Sequence, residues 1–322
     1  MSLKMKTEGE SMKARIHKKK IAVIGSSNTD MVIKTARIPR LGETVLGGEF
    51  FMAAGGKGAN QAVAAARAGG DVAFIARVGD DMFGQQQVDG LIHDRINVEF
   101  VARDKAVPSG VALIVVAADG ENSIAVASGA NARLSAEDIR RAEPVLESAG
   151  ILLMQLETAL ETVQEAAKIA SAAGVPVILN PAPAQPLGDE ILKHVTYLTP
   201  NKTEAELLTG IAIIKKSDLA TAAKALLSRG IKAVLITLGA QGVYVATRDK
   251  QELVPAFRVK AVDTTAAGDV FNGALATALS EQRSLLNAVR FASAAAAIST
   301  TKIGAQPSIP FRKEIEELLS QE

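Results

Sequence analysis

ILLMQLETALETVQEAAKIASAAGVPVILN, residues 151–180, decides the fold class. Its two ends, ILLMQL at 151–156 and VPVILN ending at Asn180, are short continuous apolar runs, the pattern of strands buried on both faces. Between them apolar residues recur at helical spacing, and Thr158 with Glu161 three residues on predicts a capping box that starts the helix. A strand, a covering helix and a second buried strand make a parallel unit, because a return through a helix brings the chain back in the same direction.

The rhythm extends both ways. Upstream lie IAVIG at 21–25, an alanine-rich helix from Gly58 to Ala68, VAFIARVG at 72–79 and a helix from about Gly84 to Asp94. Downstream, VTYLTPN precedes the helix TEAELLTG, a second helix starts at Ser217, AVLITLG reads as a buried strand, and two helices run through 269–300. The fold class expected is α/β, a doubly wound, mainly parallel sheet with helices on both faces. Residues 31–54 and 107–127 break the rhythm with strand-like segments, TVLGGEFF in the first, GVALIVVA and NSIAVA around an Asp119-Gly120 turn in the second. They predict a small inserted β-sheet. Gly42, Gly47, Gly48, Gly55 and Gly56 bracket the first excursion and suit a hinged lid over a cleft, the plainer alternative being an antiparallel extension of the main sheet. Residues 1–19 mix charges without apolar period and read as a flexible extension before an α/β domain at 20–322. Exposed Leu113, Ile114 and Val115 on the lid would make a poor monomer surface, so a homodimer through the lid is expected.

Composition narrows the chemistry. Lys plus Arg number 36 against 35 Asp plus Glu, a formal charge of +1, and Lys18–Lys20 is the one basic tract, so no nucleic-acid partner is expected. No window approaches the roughly 20 apolar residues of a membrane span, and the polar N-terminus lacks the apolar segment of a secretory signal, which points to a cytoplasmic protein with no membrane partner. With no cysteine and only His17, His93 and His194, thiol nucleophiles and the usual zinc sets are excluded. Carboxylates and backbone amides must do the work.

AVDTTAAGDVFNGALATAL, 261–279, supplies both. A turn of small residues empties into a helix, and the first amides of a helix lack intrahelical partners and favour an anion. Ala266, Ala267 and Gly268 leave room for a phosphoryl group. Asp269 would repel that anion unless it had another task, such as taking a proton from an attacking hydroxyl; an ordinary helix cap is the plain alternative. Other polar residues stand where strands of an open α/β sheet end: Asn28 and Asp30, Glu157, Asn180, Asn201 with Glu204, and Gly239 with Gly242. Asn28 and Asp30 offer a donor and an acceptor for vicinal hydroxyls, and AGGKGAN at 54–60 brings Lys57 and Asn60 to a helix mouth. GGKGAN lacks the P-loop spacing and IGSSNTD lacks GxGxxG, which argues against a dehydrogenase. A non-catalytic sugar-binding protein would have no reason to set Asp269 beside an anion site.

Together these strings resemble the ribokinase branch of the sugar and nucleoside kinases related to bacterial minor phosphofructokinase, from about Lys20 to the end. GGKGANQAVAAA is similar to the family's first signature and DTTAAGDVFNG to its second. The resemblance implies phosphorylation of D-ribose by ATP, with 2-deoxyribose, a nucleoside or another sugar as alternative acceptors. It implies that Asn28, Asp30, Gly56, Lys57, Asn60 and Glu157 bind sugar together with Asp269, and that Asp269 is the catalytic base beside an anion hole at Ala266, Ala267, Gly268 and Asp269. A loose transition state lets even an unshifted carboxylate serve. The nucleotide would meet Asn201, Gly268 and the TLGAQG segment, Thr237 with Gly239 and Gly242. Asn201 and Glu204 match a motif tied to Mg²⁺ and phosphate effects. Asp263, Thr265, Ser299, Lys302, Gly304 and Ser308 correspond to a monovalent-cation site, for which K⁺ suits a ring of neutral oxygens. Ser293 departs from the longer Asn or His of relatives near the nucleotide base, so looser base selectivity is expected.

Overall fold

The computed structural model describes residues 20–46 and 48–321; the expected extension at 1–19 and Gly47 of the expected hinge lie outside the described residues. In chain order come β1 (Ile21–Ile24), β2 (Asn28–Thr35), β3 (Glu49–Gly55), α1 (Lys57–Arg67), β4 (Val72–Gly79), α2 (Met82–His93), β5 (Val101–Asp104), β6 (Gly110–Ala117) and β7 (Asn122–Ala127). Then follow α3 (Ala136–Arg141), α4 (Glu143–Ser148), β8 (Ile151–Met154), α5 (Leu160–Ala172), β9 (Val177–Leu179), α6 (Asp189–Leu192), β10 (Tyr197–Leu198) and α7 (Lys202–Thr209). The last third holds α8 (Lys216–Leu227), β11 (Ala233–Thr237), β12 (Val243–Thr247), β13 (Gln251–Val254), α9 (Ala267–Ser280), α10 (Leu285–Ser299) and α11 (Arg312–Leu319).

Nine strands form the main sheet in the order β13-β12-β11-β10-β9-β8-β1-β4-β5. It is parallel from β11 to β5, and β12 and β13 add an antiparallel edge. Alternate residues of β1 feed two cores: Ile21 and Val23 pack with α1, α9 and α10, while Ala22 and Ile24 pack with α5 and α8. This is why the run reads as continuously apolar. From β1 the chain moves to β4 and β5 on one side, then returns at β8 and grows the other way. The sheet therefore reverses its winding between β1 and β8, the place where open α/β sheets leave a crevice.

Small residues bring α1 against α9. A Cβ on Gly273 would fall 2.4 Å from the Gln61 carbonyl, and Thr277 Oγ1 donates to the Ala65 carbonyl at 2.9 Å. That close approach carries Asn60 and Gln61 to the start of α9. Among the described residues no helix is long and apolar enough to cross a membrane.

The small sheet is real, in the order β3-β2-β6-β7, with β2 and β6 parallel and the outer pairs antiparallel. It begins earlier than the expected residue 31: Asn28 and Asp30 lie on β2 itself rather than beyond a main-sheet strand. Thr44 to Leu46 stay outside the strand, which starts at Glu49. The capping box expected at Thr158 is not formed, since α5 starts at Leu160 behind Ala159 and without a side-chain cap. Capping boxes form instead at Ser135 with Asp138 before α3 and at Asn201 with Glu204 before α7.

Candidate active site

Asp269 stands in the first turn of α9, only 7% exposed. Its Oδ2 accepts from Asn60 Nδ2 at 3.1 Å and its Oδ1 from Gln61 Nε2 at 2.9 Å. Burial, the dominant influence, raises its pKa; the Lys57 charge and the two amide donors pull it back, and the charge of Glu157 adds to the rise. An unshifted carboxylate is therefore not what the fold provides. The raised affinity for a proton makes it a better base.

The turn before it is shaped for an anion. Ala266 is left-handed, at φ 59°, a conformation that costs an L-residue about 1–2 kcal/mol and opens the helix start. Val270 N–H donates to the Ala266 carbonyl. Ala267 N–H is drawn to the Thr264 carbonyl at 3.2 Å, contrary to the expectation that all four amides face outward, because the tight turn closes on itself. Among the described residues no acceptor faces the amides of Ala266, Gly268 and Asp269. A Cβ on Gly268 would meet nothing within 4 Å, so its space is open.

Two cavities meet at this turn. A polar pocket of 170 Å³ is lined by Lys57, Asn180, Thr199, Asn201, Glu204, Asp269 and Asn272 together with Ala266. An apolar cleft of 460 Å³ is lined by Gly239, Gly242, Phe257, Phe271, Ser293 and Ala296 among others. Thr237, Thr264, Ala267 and Gly268 belong to both. Ser293 Oγ is buried there without a partner, free for a ligand but short.

Of the expected sugar residues, Lys57 and Asp269 line the polar pocket, whereas Asn28, Asp30, Gly56, Asn60 and Glu157 line neither cavity. Ser26 Oγ and Lys57 N–H both donate to Glu157 Oε2, at 2.5 and 3.0 Å. Gly56, at φ 88°, lets the chain pass beside Asn28, whose backbone nitrogen lies 2.8 Å from where a Cβ would be. Asn28 Oδ1 accepts from Asn131 Nδ2 at 2.7 Å, which leaves the Asn28 amino group as the free donor. Burial, then the charges of Glu157 and Asp269, push the Asp30 carboxyl up to about 6, which places Asp30, Glu157 and Asp269 in one electrostatic neighbourhood. Asn60 Oδ1 is buried without a partner and completes the set of groups able to meet hydroxyls.

Asn201 and Glu204 spend much of their capacity on each other. Glu204 accepts from Asn201 N–H at 2.8 Å and Nδ2 at 2.9 Å, and Glu204 N–H donates to Asn201 Oδ1 at 2.8 Å. Burial raises the Glu204 pKa. The expected cation residues are also drawn together. Asp263 Oδ1 accepts from Thr265 N–H and Oγ1, its Oδ2 accepts from Gly304 N–H at 2.8 Å, and Val262 N–H donates to the Thr300 carbonyl at 2.7 Å. Ser299 and Ser308 are wholly buried, and the Lys302 ammonium turns to Glu314 at 2.7 Å. The oxygens left to this loop are mainly neutral. Among the described residues no group of three or more His, Cys, Asp or Glu could hold a metal.

Several contributors were not among the expected site residues. Asn131 orients Asn28, Ser26 holds Glu157, and Asn272 takes the Thr199 hydroxyl at 2.6 Å while donating to the Gly268 carbonyl at 2.8 Å. Gln61 is fully buried and follows Asn60 inside the GGKGANQAVAAA segment, where only its neighbours Gly56, Lys57 and Asn60 were expected to act.

The model of the pfkB family carbohydrate kinases matches residues 18–312. A protein named ribokinase from Haemophilus influenzae is 47% identical over 302 residues, spanning 94% of this chain and 99% of its own. One named deoxyribokinase from Salmonella typhi is 40% identical over 301 residues, spanning 93% and 98%. The structure of Arabidopsis thaliana ribokinase complexed with ribose and ATP superposes with a TM-score of 0.87 at 33% identity, covering 94% of this chain and 98% of that one. The chain belongs to the pfkB family of carbohydrate kinases.

Proposed function

We propose that this family member transfers the γ-phosphoryl group of ATP to the terminal hydroxyl of D-ribose, giving D-ribose 5-phosphate. The observation that carries the reading is the junction of the two cavities at Ala267 and Gly268, with the Asp269 carboxylate on the polar side of it. The nucleotide occupies the apolar cleft between the backbone of Gly239 to Gly242 and Ser293. Its phosphates reach over Gly268 into the polar pocket, where the amides of Ala266, Gly268 and Asp269 and the charge of Lys57 meet them. Ribose lies under the small sheet, its hydroxyls facing Asn28, Asp30, Gly56, Lys57, Asn60 and Glu157. Asp269 takes the proton from the attacking hydroxyl as the bond to phosphorus forms. Residues 20–322 act as one catalytic unit, and closure of the small sheet excludes the water that would otherwise accept the phosphoryl group.

Two ions complete this reading. Mg²⁺ bound to ATP would neutralise phosphate charge, with Glu204 and Asn201 acting on it from the pocket wall. K⁺ would rest among oxygens of Asp263, Thr265, Ser299, Lys302, Gly304 and Ser308, a donor set that suits a large hard cation. Those residues lace the segment leading into the Ala266 turn, so what they fix is the direction of its amides. Unchanged kcat and KM on adding potassium to a tetramethylammonium buffer at constant ionic strength would reject that site. The homodimer reading rests on Ile33, Phe50, Met52 and Leu113, which are exposed and share one face of the small sheet by register. Light scattering that finds only monomer at micromolar concentration would count against it. The activity itself is tested by ADP release from MgATP with D-ribose and phosphorus NMR of the product. A 5-phosphate is expected, and no sugar-dependent ADP would overturn the reading.

A further inference from the structure

Asp269 is held by two consecutive residues of α1, and only one of them belongs to the sugar side. Asn60 takes Oδ2 and leaves its own oxygen for a ligand. Gln61 takes Oδ1 from the opposite direction, wholly buried. Burying an amide is costly unless its hydrogen bonds are made, so a wholly buried Gln61 on an alanine-rich helix needs a reason. All of its polar atoms are used. Gln61 Oε1 accepts from Gln155 Nε2 at 2.7 Å, and Nε2 donates to Asn180 Oδ1 at 3.0 Å as well as to Asp269. Because Nε2 faces two acceptors, Asp269 Oδ1 and the Oδ1 of an Asn180 whose own amide is fixed by its bond to the Thr199 carbonyl, the Gln61 amide cannot flip without setting oxygen against oxygen.

The chain of bonds does not stop there. Asn180 Nδ2 donates to the Thr199 carbonyl at 3.2 Å, Thr199 Oγ1 to Asn272 Oδ1, and Asn272 Nδ2 to the Gly268 carbonyl. One buried network thus ends on both the carboxylate and the turn beside it.

We propose that Gln61, oriented by Gln155, is a positioning residue that fixes which oxygen of Asp269 receives the proton and keeps that carboxylate ionised. The proposal rests on the kinase reading above. A donor to the charged form of a carboxylate lowers its pKa, so removing it must move the protonation of Asp269 to higher pH. The other charges facing Asp269 are Lys57 from α1, Glu157 after β8, Asp30 on β2 and Glu204 on α7, and none of them changes in the variants below.

The test is the pH profile of kcat for ribose phosphorylation in wild type, Gln61→Met and Gln61→Glu, with calorimetric ribose affinity and thermal melting alongside. Gln61→Met is expected to lower kcat at neutral pH about 10- to 100-fold, the worth of one hydrogen bond to a charged group, and to move the acidic limb up by about one pH unit. Ribose affinity is expected to hold. Gln61→Glu, nearly isosteric, adds a second carboxylate and is expected to move the limb further; it carries the test if the methionine variant fails to fold. An acidic limb unmoved in the folded variants, or a loss of kcat matched only by lost ribose affinity and a lower melting temperature, overturns the proposal while leaving the kinase reading intact. A wild-type protein that phosphorylates no ribose overturns both.

Discussion

The two cavities that meet at Gly268 are built by opposite means. The 170 Å³ pocket is walled largely by polar groups that bond one another, the Asn180 side chain to the Thr199 carbonyl, the Thr199 hydroxyl to Asn272, Asn201 to Glu204. The 460 Å³ cleft is walled mainly by glycine, alanine and the apolar side chains of Val243, Phe257, Val259 and Phe271, with one unpaired hydroxyl at Ser293. Directional bonds fix atoms to a fraction of an ångström, whereas small apolar walls select by shape and forgive. Chemistry should therefore be brittle on one side of Gly268 and recognition tolerant on the other.

The largest expected effect is on the brittle side. Asp269→Asn keeps the shape and both amide neighbours but cannot take a proton, and kcat is expected to fall about 10²–10⁴-fold. Ribose affinity by calorimetry should stay near that of wild type; a near-normal kcat would sink the base assignment. Next comes the acceptor. On the proposed reading Asn28, Asp30 and Asn60 meet sugar hydroxyls, and a site built to bond a hydroxyl rejects its absence, so kcat/KM for D-ribose should exceed that for 2-deoxyribose by at least about tenfold. Equal values would place this chain with its deoxyribokinase relatives instead.

A smaller effect is expected from pH. On the proposed reading Asp30, raised to about 6, accepts hydrogen bonds from sugar hydroxyls when ionised and loses that capacity once protonated. The ribose KM should therefore rise as pH falls through about 6 and level off above about 7, one unit higher, where the group is mostly charged. A KM flat from pH 5 to 8 contradicts this role for Asp30. The smallest effect belongs to the tolerant side: Ser293→Ala should change the ATP KM by less than about threefold, the worth of one weak neutral hydrogen bond. A tenfold change would show that the apolar cleft reads the base as strictly as the polar pocket reads its ligand.

Much of this was legible in the chain. The parallel core was, because strands such as Ile21–Ile24 and Ile151–Met154 are buried on both faces and so read as unbroken apolar runs. The anion turn was legible because small residues, a helix start and a carboxylate fall within one short segment. Asn28 and Asp30 were read as strand-end residues because the chain after Gly25 carries no turn that marks a new strand, and only pairing with Gly110 and Gly55 shows one. Thr158 failed as a cap since the pattern of residue types was present but the helix began two positions on, leaving its hydroxyl buried without a partner. The antiparallel edge at Val243–Val254 went unnoticed, its short strands overshadowed by the glycine turn before them. Gln61 stands inside a quoted signature, but its contacts were hidden for a different reason: its partners Asn180 and Asp269 lie 119 and 208 positions away, and no local pattern encodes such contacts.

Sugar and nucleotide are proposed to approach the Ala266–Asp269 turn from opposite sides, which a crystal structure with D-ribose and a non-hydrolysable ATP analogue bound together would decide. The terminal phosphate is expected on the amides of Ala266, Gly268 and Asp269, the adenine beside Ser293, and the sugar's terminal hydroxyl within hydrogen-bond reach of Asp269. A ribose held away from Asp269, or a terminal phosphate that bypasses the turn, would contradict it.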